Sequence, residues 1–242
     1  MVFQLEICAF NLLSCITAEQ SGAHRIELCD NPSDGGTTPS YGLIRAAREK
    51  LILDIYPIIR PHGGDFLYSS DDYDIMEKDV RLCKELGCNG VVIGLLNKDG
   101  TVDKKRTSKL VALAYPMGVT FHRAFDRVVD PFRALEDIIE LGCERILTSG
   151  QKPLVMDGTT LLKELVEKAA DRIIIMPGSG VRANNVKVIA SSTGAVEFHT
   201  TARTFMETAM DFVNKNMNES LNQVVCDGDE VKQIVEALKS IY

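Results

Sequence analysis

The sequence predicts an α/β fold, a single-domain (β/α)8 barrel of the TIM type. Two observations support this prediction: eight short apolar runs alternate with amphipathic helical patterns, and a glycine signal recurs before every second run. The length of 242 residues is close to the roughly 250 residues of such barrels. Because no linker or composition shift divides the chain, we expect one domain over residues 1–242, with a closing C-terminal segment at about 204–242.

The eight predicted strands are rich in apolar and β-branched residues, as in a parallel sheet that is covered on both faces. They are Phe3–Cys8, Arg25–Cys29, Ile55–Arg60, Gly90–Gly94, Val119–Arg123, Arg145–Thr148, Arg172–Met176 and Val196–His199. Apolar residues at helical spacing predict intervening helices, for example at Asp74–Leu86, Pro131–Leu141, Leu161–Ala170 and about 183–189. Residues 204–222 fit a helix or a loop, and Asp229–Ile241 predicts a closing helix.

A short repeat favours closure of the sheet into a barrel. Four glycines each follow a helical pattern and precede a small residue and a strand: Gly22, Gly87, Gly142 and Gly194. Glycine readily adopts the left-handed conformation that ends a helix. The copies introduce strands 2, 4, 6 and 8, as expected of a βαβα unit repeated four times. If the repeat is a coincidence of common loop signals, the fold is still α/β, but an open sheet becomes the alternative.

Composition argues against several classes of partner. The net charge is −7 and no cluster of Lys or Arg occurs, so we expect no nucleic-acid partner and no anionic membrane surface. The N-terminus lacks the pattern of a signal peptide, and no stretch approaches the roughly 20 apolar residues of a membrane span. Seven cysteines without a close CxxC pair therefore predict free thiols in a reducing cytoplasm.

The stretch VTFHRAFD, Val119–Asp126, gives the strongest functional signal. It begins as a buried strand and runs without a spacer into an imidazole, a guanidinium and a carboxylate. Parallel barrels carry their chemistry at the C-terminal ends of their strands, where the following loops begin. We therefore expect a functional site at that end of the barrel.

Alternation of side chains along each strand predicts which residues face the barrel axis. The expected inward set is Gln4, Glu6, Cys8, Arg25, Glu27, Cys29, Ile58, Arg60, Thr120, His122, Ile146, Thr148, Glu197 and His199, with Arg123 at the rim. Two carboxylates about 5 Å apart on neighbouring strands repel by about 3 kcal/mol at an effective dielectric constant of ~20, so cations must compensate them. The alternatives are a structural ion-pair network and a ligand pocket. We favour a pocket whose ligand-binding residues include Glu6, Arg60, Thr148, Glu197 and His199.

Two loops indicate a bound anion. Met176–Gly180 leaves strand 7 and leads into a helix, so the backbone N–H groups around Gly178 and Gly180 would face negative charge at a helix N-terminus. Thr200–Arg203 follows strand 8, and the loops after strands 7 and 8 are the usual phosphate site of barrels.

Cys8 and Cys29 each lie two residues beyond an inward glutamate, on strands expected about 4.8 Å apart. Two close thiols in a reducing compartment suit Cu(I). The alternative is that both are small packing residues, which the spacing alone favours. No organic cofactor is implied, and no serine-protease order, P-loop or HExxH motif occurs.

Six stretches of the chain resemble the CutC family, which is named for copper homeostasis. They are RIELCDNPSDGGTTPSYG (Arg25–Gly42), IRPHGGDFLYS (Ile59–Ser69), TFHRAFD (Thr120–Asp126), RILTSGQ (Arg145–Gln151), IIIMPGSGV (Ile173–Val181) and EFHTTAR (Glu197–Arg203). The resemblance implies a cytoplasmic TIM barrel that acts in copper tolerance and distribution, often as an oligomer. Among oligomers we expect a dimer, because isologous dimers are common. The resemblance also implies a Cu(I) site at the cysteines ending strands 1 and 2, which are Cys8 and Cys29.

Three positions depart from the commoner family pattern. His62 stands where Arg is expected, Ser179 where Gly is expected, and Thr200-Thr201 where a Ser pair is common. The change at His62 removes a permanent cation from the expected rim of the pocket.

Two hypotheses follow for the function. The first is a copper homeostasis protein that binds Cu(I) through Cys8 and Cys29. The second is a barrel enzyme for a small anionic or phosphorylated metabolite. Its catalytic candidates are Glu27 and His122 as acid or base, together with Arg123, while Arg60 and Gly178–Gly180 hold the anion. Whether the protein is an enzyme is left open by the sequence.

Overall fold

The computed structural model describes residues 3–214 and 216–241. Eight parallel strands alternate with helices in the order that the sequence predicts. The strands are β1 Gln4–Ala9, β2 Arg25–Leu28, β3 Asp54–Pro57, β4 Gly90–Ile93, β5 Gly118–Phe121, β6 Arg145–Thr148, β7 Ile174–Pro177 and β8 Glu197–Thr200. The helices are α1 Leu12–Gln20, α2 Tyr41–Lys50, α3 Ser70–Glu85, α4 Lys104–Ala114, α5 Pro131–Glu140, α6 Thr159–Ala169, α7 Val186–Thr193 and α8 Gly228–Lys239.

The strands form a (β/α)8 barrel, as predicted. Two ladders of four strands run in the orders β3-β2-β1-β8 and β4-β5-β6-β7. A parallel bridge between Ile58 and Val92 joins β3 to β4, and β7 lies in contact with β8. Each ladder is wholly parallel, so the C-terminal ends of the strands meet at one mouth of the barrel.

The predicted repeat is confirmed by the backbone. The four glycines adopt φ angles between +73° and +93°, just after helices α1, α3, α5 and α7. At these angles a side chain would strain the backbone, so glycine allows each helix to end and the next strand to start at once. The closing helix is also confirmed, since α8 buries Val231, Ile234, Val235 and Leu238 in the core.

Of the segment predicted as helix or loop, the described residues between 207 and 222 form a loop, but a strand stands at each end of that loop. Arg203–Met206 and Gln223–Cys226 form two antiparallel strands, β9 and β10, which pair with one another. Short, mostly exposed strands that pair across a long connection have no clear alternating signal in the sequence. Within the described residues, no helix is long and apolar enough to cross a membrane.

Alternation places the inward residues correctly on strands 1, 2, 3, 5 and 8, but the expectation for strand 6 is wrong. Ile146 packs in the outer core between the sheet and the helices, and Thr148 bonds to Asp126. Arg145 and Leu147 face the interior instead. Each face of this strand carries one polar and one apolar residue, so alternation alone could not show which face points inward.

Candidate functional site

The lower layer of the barrel interior is a closed network of ion pairs. Arg25 donates to Glu6 Oε2 and, over 2.6 Å, to Glu197 Oε2. Arg145 reaches the same Glu197 oxygen from the opposite side over 3.1 Å. All four side chains are buried, and the ring of Tyr56 lies 5.3–5.4 Å from both guanidinium carbons. This layer is therefore a structural ion-pair network, which the sequence left open as the alternative to a ligand pocket.

Strand register explains how this layer assembles. Glu6 lies opposite Arg25 on one neighbouring strand and opposite His199 on the other. Burial would raise the pKa of Glu6, but the charges and hydrogen bonds of Arg25 and His199 outweigh it and hold the pKa far below its usual range. Glu6 is therefore ionised and already fully paired, with His199 Nδ1 at 2.7 Å from its second oxygen.

The upper layer holds the two thiols. Cys8 Sγ and Cys29 Sγ lie 3.5 Å apart, and both residues are buried. Register places Cys8 opposite Glu27, and the two sulfurs and a carboxylate oxygen of Glu27 all lie within 4.8 Å of one another. His199 Nε2 lies 3.7 Å from Glu27 Oε2, so an imidazole borders the same cluster.

The titratable groups of this cluster have pKa values that are shifted in different directions. A hydrogen bond with Cys29, followed by the contacts with His199, lowers the pKa of Cys8 to about 6 against the effect of burial. Burial raises the pKa values of Glu27 and Cys29 well above their usual range. Burial would lower the pKa of His199, yet its contacts with Cys8, Glu6 and Glu27 raise it well above the usual value. At neutral pH the cluster thus holds a Cys8 thiolate beside an imidazolium.

A cavity of about 350 Å³ opens above the thiols at the C-terminal ends of the strands. Its walls combine apolar side chains with four arginines, which are Arg60, Arg123, Arg182 and Arg203. Of the lining residues described here, Glu27 alone carries a carboxyl group, and burial raises the pKa of that group well above its usual range. The volume is at the lower end of the range for small-molecule sites.

His122 projects into this cavity with one unused hydrogen-bond donor. Its Nδ1 accepts a hydrogen bond from the Ala124 amide at 3.1 Å, and burial together with the charge of Arg60 lowers its pKa to about 3. The ring is therefore neutral and carries its proton on Nε2, which has no hydrogen-bond partner among the described residues. Gly94 makes room for the ring, since a Cβ there would stand 2.3 Å from Nδ1.

Arg60 is a buried cation held by neutral groups. Its guanidinium donates to the carbonyl oxygens of Asp34, Gly36 and Gly64 at 2.7–2.9 Å. In the part of the chain that the structure describes, no carboxylate pairs with it, and its Nε has no hydrogen-bond partner. Gly36 also packs against the thiols, because a Cβ there would stand 3.2 Å from Cys29 Sγ.

Arg123 lies at the cavity wall, but its charge is neutralised. Its Nε donates to Asp126 Oδ2 over 2.8 Å and a terminal nitrogen donates to Ser149 Oγ over 2.9 Å. The same Asp126 accepts from the Thr148 hydroxyl and from the amides of Ser149 and Gln151. The carboxylate of VTFHRAFD therefore shapes the loop after β6 instead of meeting a ligand.

In the loop after β7, the amide of Gly178 and the amides that precede α7 at Arg182 and Ala183 are not free for the anion that the sequence predicts there. The Gly178 amide donates to the Thr148 carbonyl, and α7 begins three residues later than expected, at Val186. The preceding amides are occupied, since Arg182 N donates to Asn185 Oδ1 and Ala183 N donates to Glu230 Oε1. A carboxylate of α8 thus already supplies the negative charge. Gly180 lines the cavity at a different point of the loop.

The family departures are also explained by position. Ser179 adopts a φ of +74°, where glycine is favoured, and its hydroxyl donates to the Pro153 carbonyl over 2.7 Å. His62 lies 3.7 Å from Asp72 and does not line the cavity, so the lost cation does not change the cavity wall.

The predicted site residues therefore separate into two groups. Those that line the cavity are Cys8, Glu27, Arg60, His122, Arg123, Gly180 and His199. Those that lie below or outside its lining are Glu6, Cys29, Thr148, Gly178 and Glu197. Sequence reasoning missed Arg145, Phe66 and Arg182. The repeat could have found Arg145, because it stands three residues after Gly142, just as Arg25 stands three residues after Gly22.

Comparison with known proteins gives a consistent result. The family model described as the CutC family matches residues 3–204. A CutC family protein of Chromobacterium violaceum is 52% identical over 208 residues, which are 86% of this chain and 84% of that protein. The human copper homeostasis protein cutC homolog is 44% identical over 215 residues, 89% of this chain and 79% of the relative.

Solved structures support the same conclusion. A crystal structure assigned to copper homeostasis protein CutC of Streptococcus agalactiae superposes with a TM-score of 0.79 at 34% identity, covering 83% of this chain and 99% of the other. Phosphoribosyl anthranilate isomerase of Thermotoga maritima gives a TM-score of 0.64 at 15% identity, with 99% and 100% covered, which shows a shared barrel fold alone. With most of its length matched by the family model and by these relatives, the chain belongs to the CutC family of copper homeostasis proteins.

Proposed function

We propose that this chain serves copper homeostasis by binding Cu(I) between Cys8 and Cys29. The main observation in support of this proposal is that their sulfur atoms lie 3.5 Å apart. Sulfur bonds to d¹⁰ metal ions such as zinc are about 2.3 Å long, so two sulfurs can share one ion at any separation up to about 4.6 Å. Soft thiolate ligands favour Cu(I) over harder ions.

The surroundings of the thiols support the same role. Thiolate is the form that binds metal, and the lowered pKa of Cys8 supplies it at neutral pH. Glu27 offers an oxygen within 4.8 Å of both sulfurs as a third ligand. Cys8 lines the cavity, so an ion can reach it from the barrel mouth, while Gly36 covers Cys29 from the side.

An anaerobic Cu(I) titration against a competing chelator tests this proposal. Wild type is compared with Cys8→Ala/Cys29→Ala and with a control, Cys83→Ala/Cys88→Ala, which removes two other buried thiols that hydrogen-bond to each other. We expect one-to-one binding that is lost only in the first variant. Equal binding by all three proteins, or equal loss in both variants, would reject the site.

A second candidate function is catalysis on a small anionic metabolite, because Glu27 and His122, the two acid–base candidates, line one cavity. Burial raises the pKa of Glu27, which suits a general acid, and lowers the pKa of His122, which remains a neutral hydrogen-bond donor through Nε2. Arg123 would orient the site through Asp126. Turnover screening of small phosphate esters and carboxylates with wild type and Glu27→Gln tests this: conversion by both proteins at one rate would contradict the role of Glu27.

We propose that the protein forms a dimer through its β9–β10 arm, residues 203–226. The arm is a two-stranded ribbon that exposes Phe205 and Phe212, at 67% and 74% of their surface. Exposed ribbon edges and apolar patches favour pairing with a second copy about a twofold axis. Sedimentation should give a dimer for wild type and for the control Ile52→Ser, whose side chain is exposed elsewhere, but a monomer for Phe205→Ser/Phe212→Ser. A monomeric wild type would reject the proposal.

We also propose a cytoplasmic location. All seven cysteines are free, and unpaired thiols persist in reducing compartments. Fractionation of cells followed by immunodetection tests this, and recovery in an exported fraction would contradict it.

A further inference from the structure

The cavity contains an unusual excess of donors over acceptors. Arg60 is 5% exposed and has no carboxylate partner among the described residues, where its guanidinium donates to three backbone carbonyls, and His122 is 4% exposed with its Nε2–H unsatisfied among the same residues. A buried cation without a counter-charge and a buried donor without an acceptor are each unfavourable. Both features favour one kind of occupant, which is an anion.

Phe66 contacts both of these groups. Its ring centroid lies 5.1 Å from the guanidinium carbon of Arg60 and 5.0 Å from the imidazole centroid of His122. Both side chains therefore border one ring, and they are close enough for the charge of Arg60 to lower the pKa of His122. Such preorganised donors bind at low entropic cost.

The remaining walls indicate the size and character of the ligand. Arg182 and Arg203 at the mouth have no ion-pair partner in residues 3–214 and 216–241, which extends the positive field outward. Apolar side chains complete the lining, namely Phe10, Ile58, Phe66, Leu147 and Leu154. An anion with a short carbon body matches these walls better than a bare inorganic ion.

We propose that the cavity binds a small organic anion, a carboxylate or a phosphate monoester, whose charged group is held by Arg60 and by the Nε2–H of His122. This inference deepens the second candidate function, on which its biological role rests, but binding itself requires neither turnover nor bound copper. The site differs from the predicted one at the start of α7, where Glu230 already occupies the amide of Ala183.

Imidazole nitrogen NMR of the full chain tests this directly, because the protein has four histidines and their signals can be separated. The probes are inorganic phosphate and butyrate, which distinguish a phosphate source from a carboxylate source. We expect at least one probe to shift the Nε2 signal of His122 saturably. No saturable shift with either probe would overturn the proposal.

Variants sharpen the test. Arg60→Met should weaken binding about tenfold or more, since a charged hydrogen bond typically contributes at least that much. Arg60 also donates to three loop carbonyls, so its replacement could disturb the loops. His122→Asn therefore serves as a second variant. Asparagine can still accept the hydrogen bond of the Ala124 amide, but it has no donor at the position of Nε2. The matched controls are Arg45→Met on the exposed face of α2 and His24→Gln at the opposite end of the barrel.

The outcomes separate this inference from the proposed functions. Equal affinity in Arg60→Met and Arg45→Met would overturn it. Saturable anion binding by the wild type, weakened in Arg60→Met, supports it even if copper binding fails. Saturable binding without any turnover would reject the catalytic candidate alone.

Discussion

The two layers of the barrel interior use the same residue types in opposite ways. In the lower layer, Glu197 accepts from both Arg25 and Arg145, and Glu6 is paired on each of its oxygens. In the upper layer, Arg60 has no carboxylate partner among the described residues, and His122 leaves a donor unused. Both layers are buried, so the difference is not one of exposure.

The comparison teaches that charge inside a barrel does not by itself indicate a binding site. A compensated network stabilises one arrangement and leaves no group free for a ligand. A buried charge or hydrogen-bond donor that has no partner at the end of a strand is unfavourable until a ligand or a water molecule binds to it. The four predictions that follow test this difference.

Glu197→Gln should cause the largest loss of stability. It leaves the buried guanidiniums of Arg25 and Arg145 without their shared counter-charge, which costs about 3–5 kcal/mol in the free energy of unfolding. Urea denaturation measures the change. Glu49→Gln, which breaks an exposed pair with Arg45, should change stability by about 0.5 kcal/mol or less. Similar small values for both variants would show that the lower layer is not structural.

Gly94→Ala should damage the upper layer selectively. The new methyl group would overlap the ring of His122, and such overpacking costs about 1–3 kcal/mol. Thermal unfolding gives the stability and the imidazole NMR signal gives the ring position. Gly42→Ala, with nothing within 4 Å of the new Cβ, is the control and should not be destabilised. An unmoved His122 signal in Gly94→Ala would contradict the tight fit.

Acidification should destabilise the protein through His122. Its folded-state pKa of about 3 lies below the ordinary value of 6.5, so the unfolded chain takes up the proton first. The contribution is complete above about pH 6.5 and is lost as pH falls toward 3, at no more than about 1.4 kcal/mol per pH unit. Urea denaturation at each pH measures the free energy of unfolding. Between pH 6 and about 4 this free energy should fall less steeply in His122→Asn than in the wild type. Parallel curves for the two proteins would refute the lowered pKa.

Thr148→Val should have the smallest effect. It removes one of several hydrogen bonds to Asp126 and the acceptor of the Gly150 amide, at a cost of about 1 kcal/mol for each bond. Because Thr148 lies outside the cavity lining, probe binding measured by NMR should be unchanged. Weakened anion binding in this variant would restore Thr148 to the ligand-binding set that the sequence predicts.

The barrel could be predicted from the sequence because strand and helix periods alternate and the glycine repeat marks every second strand. The same repeat contains more information than alternation alone. Three positions after the four glycines stand Arg25, Gly90, Arg145 and Glu197, which lie on β2, β4, β6 and β8. Alternate strands contribute together to one interior layer. The ring of Tyr56 fills the space that Gly90 leaves.

The site was only partly predictable, because it depends on contacts between distant segments. Arg60 and His122 could be placed at strand ends, but Phe66, which contacts both, lies in a loop without a periodic pattern. The intramolecular bond from Ala183 to Glu230 spans 47 residues, and nothing local to the glycine loop indicates it. Strand parity also failed at β6, where Thr148 and Arg145 are both polar but lie on opposite faces.

Gly36 gives the two proposed ligands a common neighbour. Its carbonyl accepts from Arg60 at 2.8 Å, while its Cα packs against Cys29. Any shift of this loop that accompanies metal loading is therefore transmitted to the guanidinium that would hold the anion. By thermodynamic linkage, an effect of one ligand on the affinity of the other must be reciprocated by the same factor. A metal at Cys29 and an anion at Arg60 would therefore share one loop, and any coupling between them would act equally in both directions.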